Sequence, residues 1–323
     1  MVTATVAVML LSGCKDGSTP TASGEGKTRI AAILFQMDQF YRMVEMGMKA
    51  AAEQYHVDLL MSNSANSIDK EISLVDTYTT QGVQAMAVAP LSVKSSIPAL
   101  KRAHDAGIPI VTFDGYVEAD FPKSSILSDQ VSLGRTTGVA ARRYIEEKLG
   151  GKAKLALIEY ISLAPEPGGM RVQGFKEEMS KLPGVEIVVE QDAWLAPDAV
   201  DKVASILTAY PDVNVIWAAN EGGTVGAVTA VRNAGQAGKV VVFGTDMSEE
   251  IAGFLLAEEN ILQAVTGQKP FEIGFQTIVT ALKSVHGEPV ETRVTLPGVL
   301  FTREQPEEVA EHRAVLQKMS AGQ

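Results

Sequence analysis

Short, nearly continuous apolar runs alternate along this chain with longer stretches in which apolar positions recur at helical spacing. The first run, Ile30 to Phe35, is too uniform for a strand with one wet face. It suits a parallel strand covered by helices on both sides. Polarity returns abruptly with Gln36, Asp38 and Gln39, and Phe40 and Tyr41 open a helical pattern reaching Tyr55. The periodicity then predicts strands over 56–61, 83–89 and 108–113, with helices over 68–80 and 92–106. Gly82, Pro90 and Gly107 punctuate them. The pattern restarts with a helix over 133–149 and strands over 154–159, 185–190, 213–219, 239–243 and 261–265. The intervening helices are expected over 171–182, 197–210, 224–234, 248–259 and 270–285, with 165–169 as a Pro/Gly-rich loop. Alternation of this kind predicts a doubly wound α/β fold with parallel sheets.

The two halves are built alike without an obvious sequence repeat. The expected organisation is two doubly wound parallel-sheet lobes joined by a hinge that the chain crosses several times. One lobe is expected over 29–128 plus 268–294 and the other over 129–267 plus 295–323. Open α/β sheets take small ligands at the carboxyl ends of their strands. Polar residues recur at that edge: Asp38, Asp114, Asn220, Asp246 and Gln268. Arg171 opens a helix nearby, and Phe40, Tyr41 and Trp194 offer flat faces. Singly, each has an ordinary structural reading, since Asp and Asn cap helices and form turns. Together, carboxylates, an amide and aromatic faces suit a hydroxylated ligand, whose O–H groups donate to the carboxylates while rings cover its C–H faces.

Composition narrows the alternatives. With 323 residues, 46% hydrophobic and 21% charged, the chain is long enough for two cores. A formal net charge of −11 and no basic face argue against nucleic acid. His56, His104, His286 and His312 lie too far apart for a metal site and read as surface or packing residues. No G-x-S-x-G, H-E-x-x-H or Walker motif is present, and the first strand lacks G-x-G-x-x-G. No cofactor and no catalytic residue is therefore expected. The sole cysteine, Cys14, excludes an internal disulfide framework. It ends an apolar leader at Leu11-Ser12-Gly13-Cys14 and precedes a Ser/Gly/Thr-rich stretch, 15–28. The segment resembles a bacterial lipoprotein signal over 1–13, with Cys14 lipidated and 14–28 a flexible tether, although no Lys or Arg precedes the apolar run.

From Arg29 to about Phe301 the chain resembles the type I periplasmic sugar-binding proteins, close to ribose-binding protein. The anchors are WAANEGGTVGA from Trp217, VVFGTD from Val241, Arg171-x-x-Gly174-Phe175 and Gln268-x-Pro270-x-x-x-Gly274. The resemblance implies that Asp38, Phe40, Tyr41, Asp114, Arg171, Trp194, Asn220, Asp246 and Gln268 hold a sugar between two lobes. It also implies delivery to an ABC transporter permease by a monomer. Two departures weigh against ribose itself: Gly115 and Tyr116 stand where ribose binders carry Arg, and Asp38 where they carry Asn. LacI-type repressors share the fold but need an N-terminal helix-turn-helix, where this chain has its leader. A sensor presenting a sugar-like signal to a membrane receptor and an enzyme acting on a polyol are the competing expectations.

Overall fold

The structure is a computed structural model that describes residues 27–37 and 39–320. The leader, Cys14, the tether as far as residue 26, and Asp38 lie outside the described residues. The chain begins with β1 (Arg29–Leu34), α1 (Gln39–Gln54), β2 (Asp58–Asn63), α2 (Ile68–Thr80), β3 (Ala85–Val88), α3 (Ile97–Asp105), β4 (Ile110–Phe113) and β5 (Ser124–Ser128). It continues with α4 (Gln130–Lys148), β6 (Lys152–Glu159), α5 (Pro165–Met179), β7 (Gly184–Asp192), α6 (Ala196–Ala209), β8 (Val215–Ala218) and α7 (Glu221–Asn233). Then come β9 (Val241–Thr245), α8 (Glu249–Leu256), β10 (Leu262–Gly267), α9 (Pro270–Val285), β11 (Arg293–Leu296), β12 (Val299–Thr302) and α10 (Pro306–Ser320). The strands form two six-stranded sheets, ordered β11-β5-β4-β3-β1-β2 and β12-β10-β9-β8-β6-β7. Every pairing is parallel except β12 against β10.

The apolar run of β1 does what its composition requires. Ile30, Ala32 and Leu34 enter one core cluster and Ala31 and Ile33 the opposite one. In β6, Leu155 and Leu157 likewise face one cluster while Ala156 and Ile158 face another. A strand buried on both faces must be apolar at every position, which is why no alternation is seen in the sequence.

Helices cover the sheets in crossed pairs, α1 on α9 and α4 on α5. Both crossings are glycine contacts. A Cβ on Gly47 would overlap the Phe271 carbonyl and one on Gly274 the Val44 carbonyl. In the second pair a Cβ on Gly134 would overlap the Arg171 carbonyl, and one on Gly174 that of Val131. Without these side chains the helix backbones touch, and the strand-to-helix turns at their ends are drawn together.

The chain passes between the two halves after β5, after β10 and between β11 and β12. Where the first two passages run side by side, Ser128 Oγ donates to Gln268 Oε1 at 2.7 Å.

The expected loop over 165–169 is instead the start of α5. Pro165 sits at the first helical position, where its fixed φ favours the turn and its missing N–H has no intrahelical partner to lose. The strand β5 was not foreseen, because its sequence SSILS is mostly polar. The half-buried Ser125 Oγ accepts from Thr112 Oγ1 at 2.7 Å and Ser128 Oγ is engaged by Gln268, whereas the buried Ser124 Oγ has no hydrogen-bond partner among the described residues. The helix expected from Ser92 starts only at Ile97, because Ser92 Oγ instead accepts the Lys94 and Ser95 N–H groups in a turn. β11 stays in the first sheet as far as Leu296, just past Val294.

Gly134→Ala should destabilise the protein by roughly 1–3 kcal/mol or more in urea denaturation, the cost of overpacking a closed contact. Gly169→Ala is the control, since nothing lies within 4 Å of its Cβ position. In a helix interior it should be neutral or stabilise by up to ~1 kcal/mol.

Candidate ligand-binding site

The carboxyl edges of the two sheets face each other across a cavity of about 660 Å³. Asp114 follows β4 and Asp246 follows β9, equivalent strands in the two sheet orders. Both have left-handed backbones, with φ of 55° and 71°. Both also keep a ladder bond to the neighbouring strand: Asp114 N–H to Ile126 O at 3.0 Å and Asp246 N–H to Thr266 O at 2.9 Å. The chain therefore turns sharply while still held by the sheet. Asp tolerates this conformation better than most residues, yet a non-glycine residue held there generally costs on the order of 1 kcal/mol or more. Two such turns aimed at one cavity single out this edge.

Arg171 enters the cavity from α5 and is 6% exposed. Its Nη1 donates to Ala219 O at 2.9 Å and its Nε to Gln130 Oε1 at 2.6 Å. Nη1 also lies 3.5 Å from Asp246 Oδ2, and the guanidinium sits 5.5 Å from the Tyr160 ring centroid. Burial works against its charge, but the fields of Tyr160, Asp246 and Asp114 outweigh that and hold its pKa above the ordinary arginine value. Burial also pushes the Tyr160 hydroxyl up, against the pull of Arg171.

Asp246 is the node of the site. Its Oδ1 accepts from Gln268 Nε2 at 2.8 Å and its Oδ2 from the Glu221 N–H at 3.0 Å. Gln268 is thus committed at both ends, to Ser128 and to Asp246. Asn220 is similarly engaged. It caps α7 through Oδ1, which accepts from Gly223 N–H at 3.1 Å, and its Nδ2 donates to Trp194 O at 2.8 Å. Asn220 therefore fixes the backbone that carries Trp194.

Trp194 meets Tyr160 edge-on at 5.2 Å and leaves 46% of its surface exposed at the cavity wall. Phe40 also lines the wall. Tyr41 is 1% exposed, and its ring belongs to the first core. Its hydroxyl donates to Asp114 Oδ2, so it reaches the cavity chiefly as the group that orients Asp114.

Eight of the nine residues expected to bind ligand line this cavity, and the ninth, Asp38, lies outside the described residues. Gln36, Gln39, Gln130, Tyr160 and His312, which are not among the nine expected ligand-binding residues, line it too. Tyr160 ends the run of β6 and could have been found by the strand-edge rule that picked Asp114. Gln130 and His312 carry no such signal, and His312 had been read as an ordinary packing or surface residue. At the cavity's mouth, Tyr116 from the first half donates to Glu166 of α5. That hydrogen bond, helped by burial and the Glu166 charge, pushes the Tyr116 hydroxyl up to about 12.

Comparison with known proteins gives this geometry a family. The periplasmic binding protein domain family matches residues 30–289. The chain belongs to that family. It is 31% identical to the ABC transporter periplasmic-binding protein YphF of Escherichia coli, over 87% of this chain and 88% of that protein. It is 27% identical to the ribose import binding protein RbsB of the same organism, over 88% of this chain and 94% of that one. A crystal structure of an ABC transporter periplasmic solute-binding protein from Actinobacillus succinogenes, with D-allose bound, superposes with a TM-score of 0.78. It is 28% identical and covers 87% of this chain and all of its own. The expected family and the two-sheet α/β fold are borne out, and these relatives are binding proteins, not enzymes.

Asp246→Asn tests the node, because Asn tolerates the left-handed backbone while the charge is lost and one accepting oxygen becomes an NH2 donor facing Gln268 Nε2 or the Glu221 N–H. Without ligand the variant should lose about 1.5–3 kcal/mol in urea denaturation, the contribution of a hydrogen bond to a charged group.

Proposed function

We propose that this chain is the solute-binding component of an ABC importer and captures a neutral sugar or polyol in the cavity between its two sheets. The observation that carries this reading is the charge arrangement. Asp114 and Asp246 stand on opposite sides of one cavity, with Glu221 beside them, and Arg171 is already ion-paired to Asp246. An anionic ligand would meet several carboxylates at low dielectric and one guanidinium that is already neutralised. A hydroxylated neutral ligand instead donates to the carboxylates, while Trp194 and Phe40 cover its apolar faces. The relatives' names, which include ribose import and a D-allose complex, support the sugar class.

In this reading the two sheets are the cores of two lobes. One holds residues 29–128 with α9 and β11; the other holds the remaining folded segments. Ligand contacts to both lobes exist only when the cleft is closed, so ligand draws the population towards closure. Calorimetry should show a neutral sugar or polyol, among D-ribose, D-allose, xylitol and myo-inositol, binding more tightly than sugar phosphates and sugar acids. Ligand at ~100 times its dissociation constant should add roughly 2.7 kcal/mol of stability and reduce the radius of gyration in small-angle scattering. Tighter binding of an anionic sugar than of every neutral one would overturn the neutral-ligand reading.

Localisation is part of the same proposal. The Leu11-Ser12-Gly13-Cys14 box supports a lipid anchor on Cys14, followed by a tether that lets the folded part reach a permease. Several acyl chains hold a protein firmly, since each buried methylene contributes about 0.8 kcal/mol and one chain alone is marginal. Cys14→Ser should therefore move the protein from the membrane to the soluble fraction with its ligand affinity unchanged. Mass spectrometry of native protein showing Cys14 retained without lipid would count against the anchor.

A further inference from the structure

The family match ends at residue 289, before β11, β12 and α10. α10 is nevertheless built firmly into the second half. Val309 and Leu316 are both 0% exposed, and His312 falls on the same helical face between them. Arg303, just ahead of the helix, donates to the carbonyls of Leu262, Phe254 and Ala257 at 3.0, 3.1 and 2.7 Å. Gln317 Nε2 ties the far end of α10 to Glu249 Oε1 at 2.9 Å.

This anchoring aims His312 at the ligand cavity. Its ring lies 4.6 Å from that of Phe301, tilted by 42°, and it lines the cavity with Met247 and Glu250. Burial pushes its pKa below the ordinary histidine value, so near neutral pH the imidazole is uncharged and offers one donor and one acceptor. No hydrogen bond engages it among the described residues. α10 also touches α1, across the cleft. There a recess of about 350 Å³ adjoins the cavity, sharing Gln39, Glu221 and Glu250 with it and adding Arg313. Gln39 Nε2 and Arg313 Nε are buried without a hydrogen-bond partner. Two orphaned donors and an unengaged imidazole therefore converge on one end of the cavity.

We propose that α10 forms the end wall of the ligand cavity and that His312 is a specificity-determining contact, hydrogen-bonding a hydroxyl of the neutral ligand that faces it. This rests on the sugar-binding reading and adds to it. The chain selects its ligand with a helix that the family match does not include, so a ligand with a hydroxyl in that position is preferred over its deoxy or epimeric counterpart. A neutral imidazole suits a hydroxyl, which can both donate to it and accept from it.

The test is calorimetry on wild type, His312→Ala and His312→Gln with D-ribose, D-allose, xylitol and myo-inositol. For the best wild-type ligand, His312→Ala should weaken binding about tenfold and narrow the preference among the four, while unliganded thermal stability stays close to wild type. His312→Gln, which keeps a donor and an acceptor, should recover part of both effects. Unchanged affinities and preferences in His312→Ala overturn the proposal and leave the sugar-binding reading standing. So does an equal weakening for all four accompanied by a matching loss of unliganded stability, since that is a packing effect. Wild type that binds none of the four overturns both.

Discussion

A guanidinium closed off from water must be neutralised and hydrogen-bonded by the protein around it, and the architecture of this cleft follows from meeting that demand for Arg171. The Gly134 contact falls on the carbonyl of Arg171 itself, so the close helix crossing sets the depth at which this side chain starts. The same crossing brings the first turn of α4 close enough for Gln130 to accept from Nε. The carbonyl of Ala219, just beyond β8, and the carboxylate of Asp246, just beyond β9, complete the shell. Gln268 then ties Asp246 to the passage between the two halves, so the charge in the cavity and the crossing strands belong to one network.

The two halves repeat one plan in atomic detail. Gly47 and Gly274 meet the carbonyls of Phe271 and Val44 as Gly174 and Gly134 meet those of Val131 and Arg171. Asp114 and Asp246 take the same left-handed turn after matching strands. The partners Ser128 and Gln268 sit 140 residues apart, each just where its strand leads into a helix of the crossed pairs. Their bond thus lies where equivalent segments meet, close to an approximate twofold axis. The sequence hides this repeat because a buried parallel strand demands only apolarity, and a crossing demands glycine at one or two positions. Where Val44 stands in the first half, Arg171 stands in the second. The asymmetry of the ligand site is made by such exchanges on a symmetric frame.

This explains what could be read from residues alone. The helices over 68–80 and 270–285 match their expected spans because their apolar spacing is regular and a cap or a proline marks the start. The strand β5 was invisible because its burial comes from neighbours rather than from its own polar sequence. Asp114 and Asp246 were legible as site candidates because a carboxylate directly after an apolar run is conspicuous. That Asn220 and Gln268 are held in internal bonds could not be read, since hydrogen-bond partners 26 and 140 residues away are fixed by topology. The place of His312 was illegible for the same reason, because it depends on how α10 folds back onto α8 and towards α1.

Around Asp246 the cleft is preorganised for acceptance rather than donation. Asp246 takes up three donors, from Gln268, Glu221 and Arg171, and an ionised carboxylate offers about four lone-pair sites, so room for a further donor remains. Each bond already present fixes the carboxylate without ligand, so the hydroxyl proposed to bind there need not order it on arrival. At the mouth, by contrast, the bond from Tyr116 to Glu166 that joins the two halves is water-exposed, and contacts of that kind contribute on the order of 1 kcal/mol or less. Such a bond cannot hold the cleft shut against a separation of the halves by itself. In the proposed reading the free energy of closure therefore comes from contacts that both halves make to the ligand, which makes affinity and closure two readings of the same differential binding.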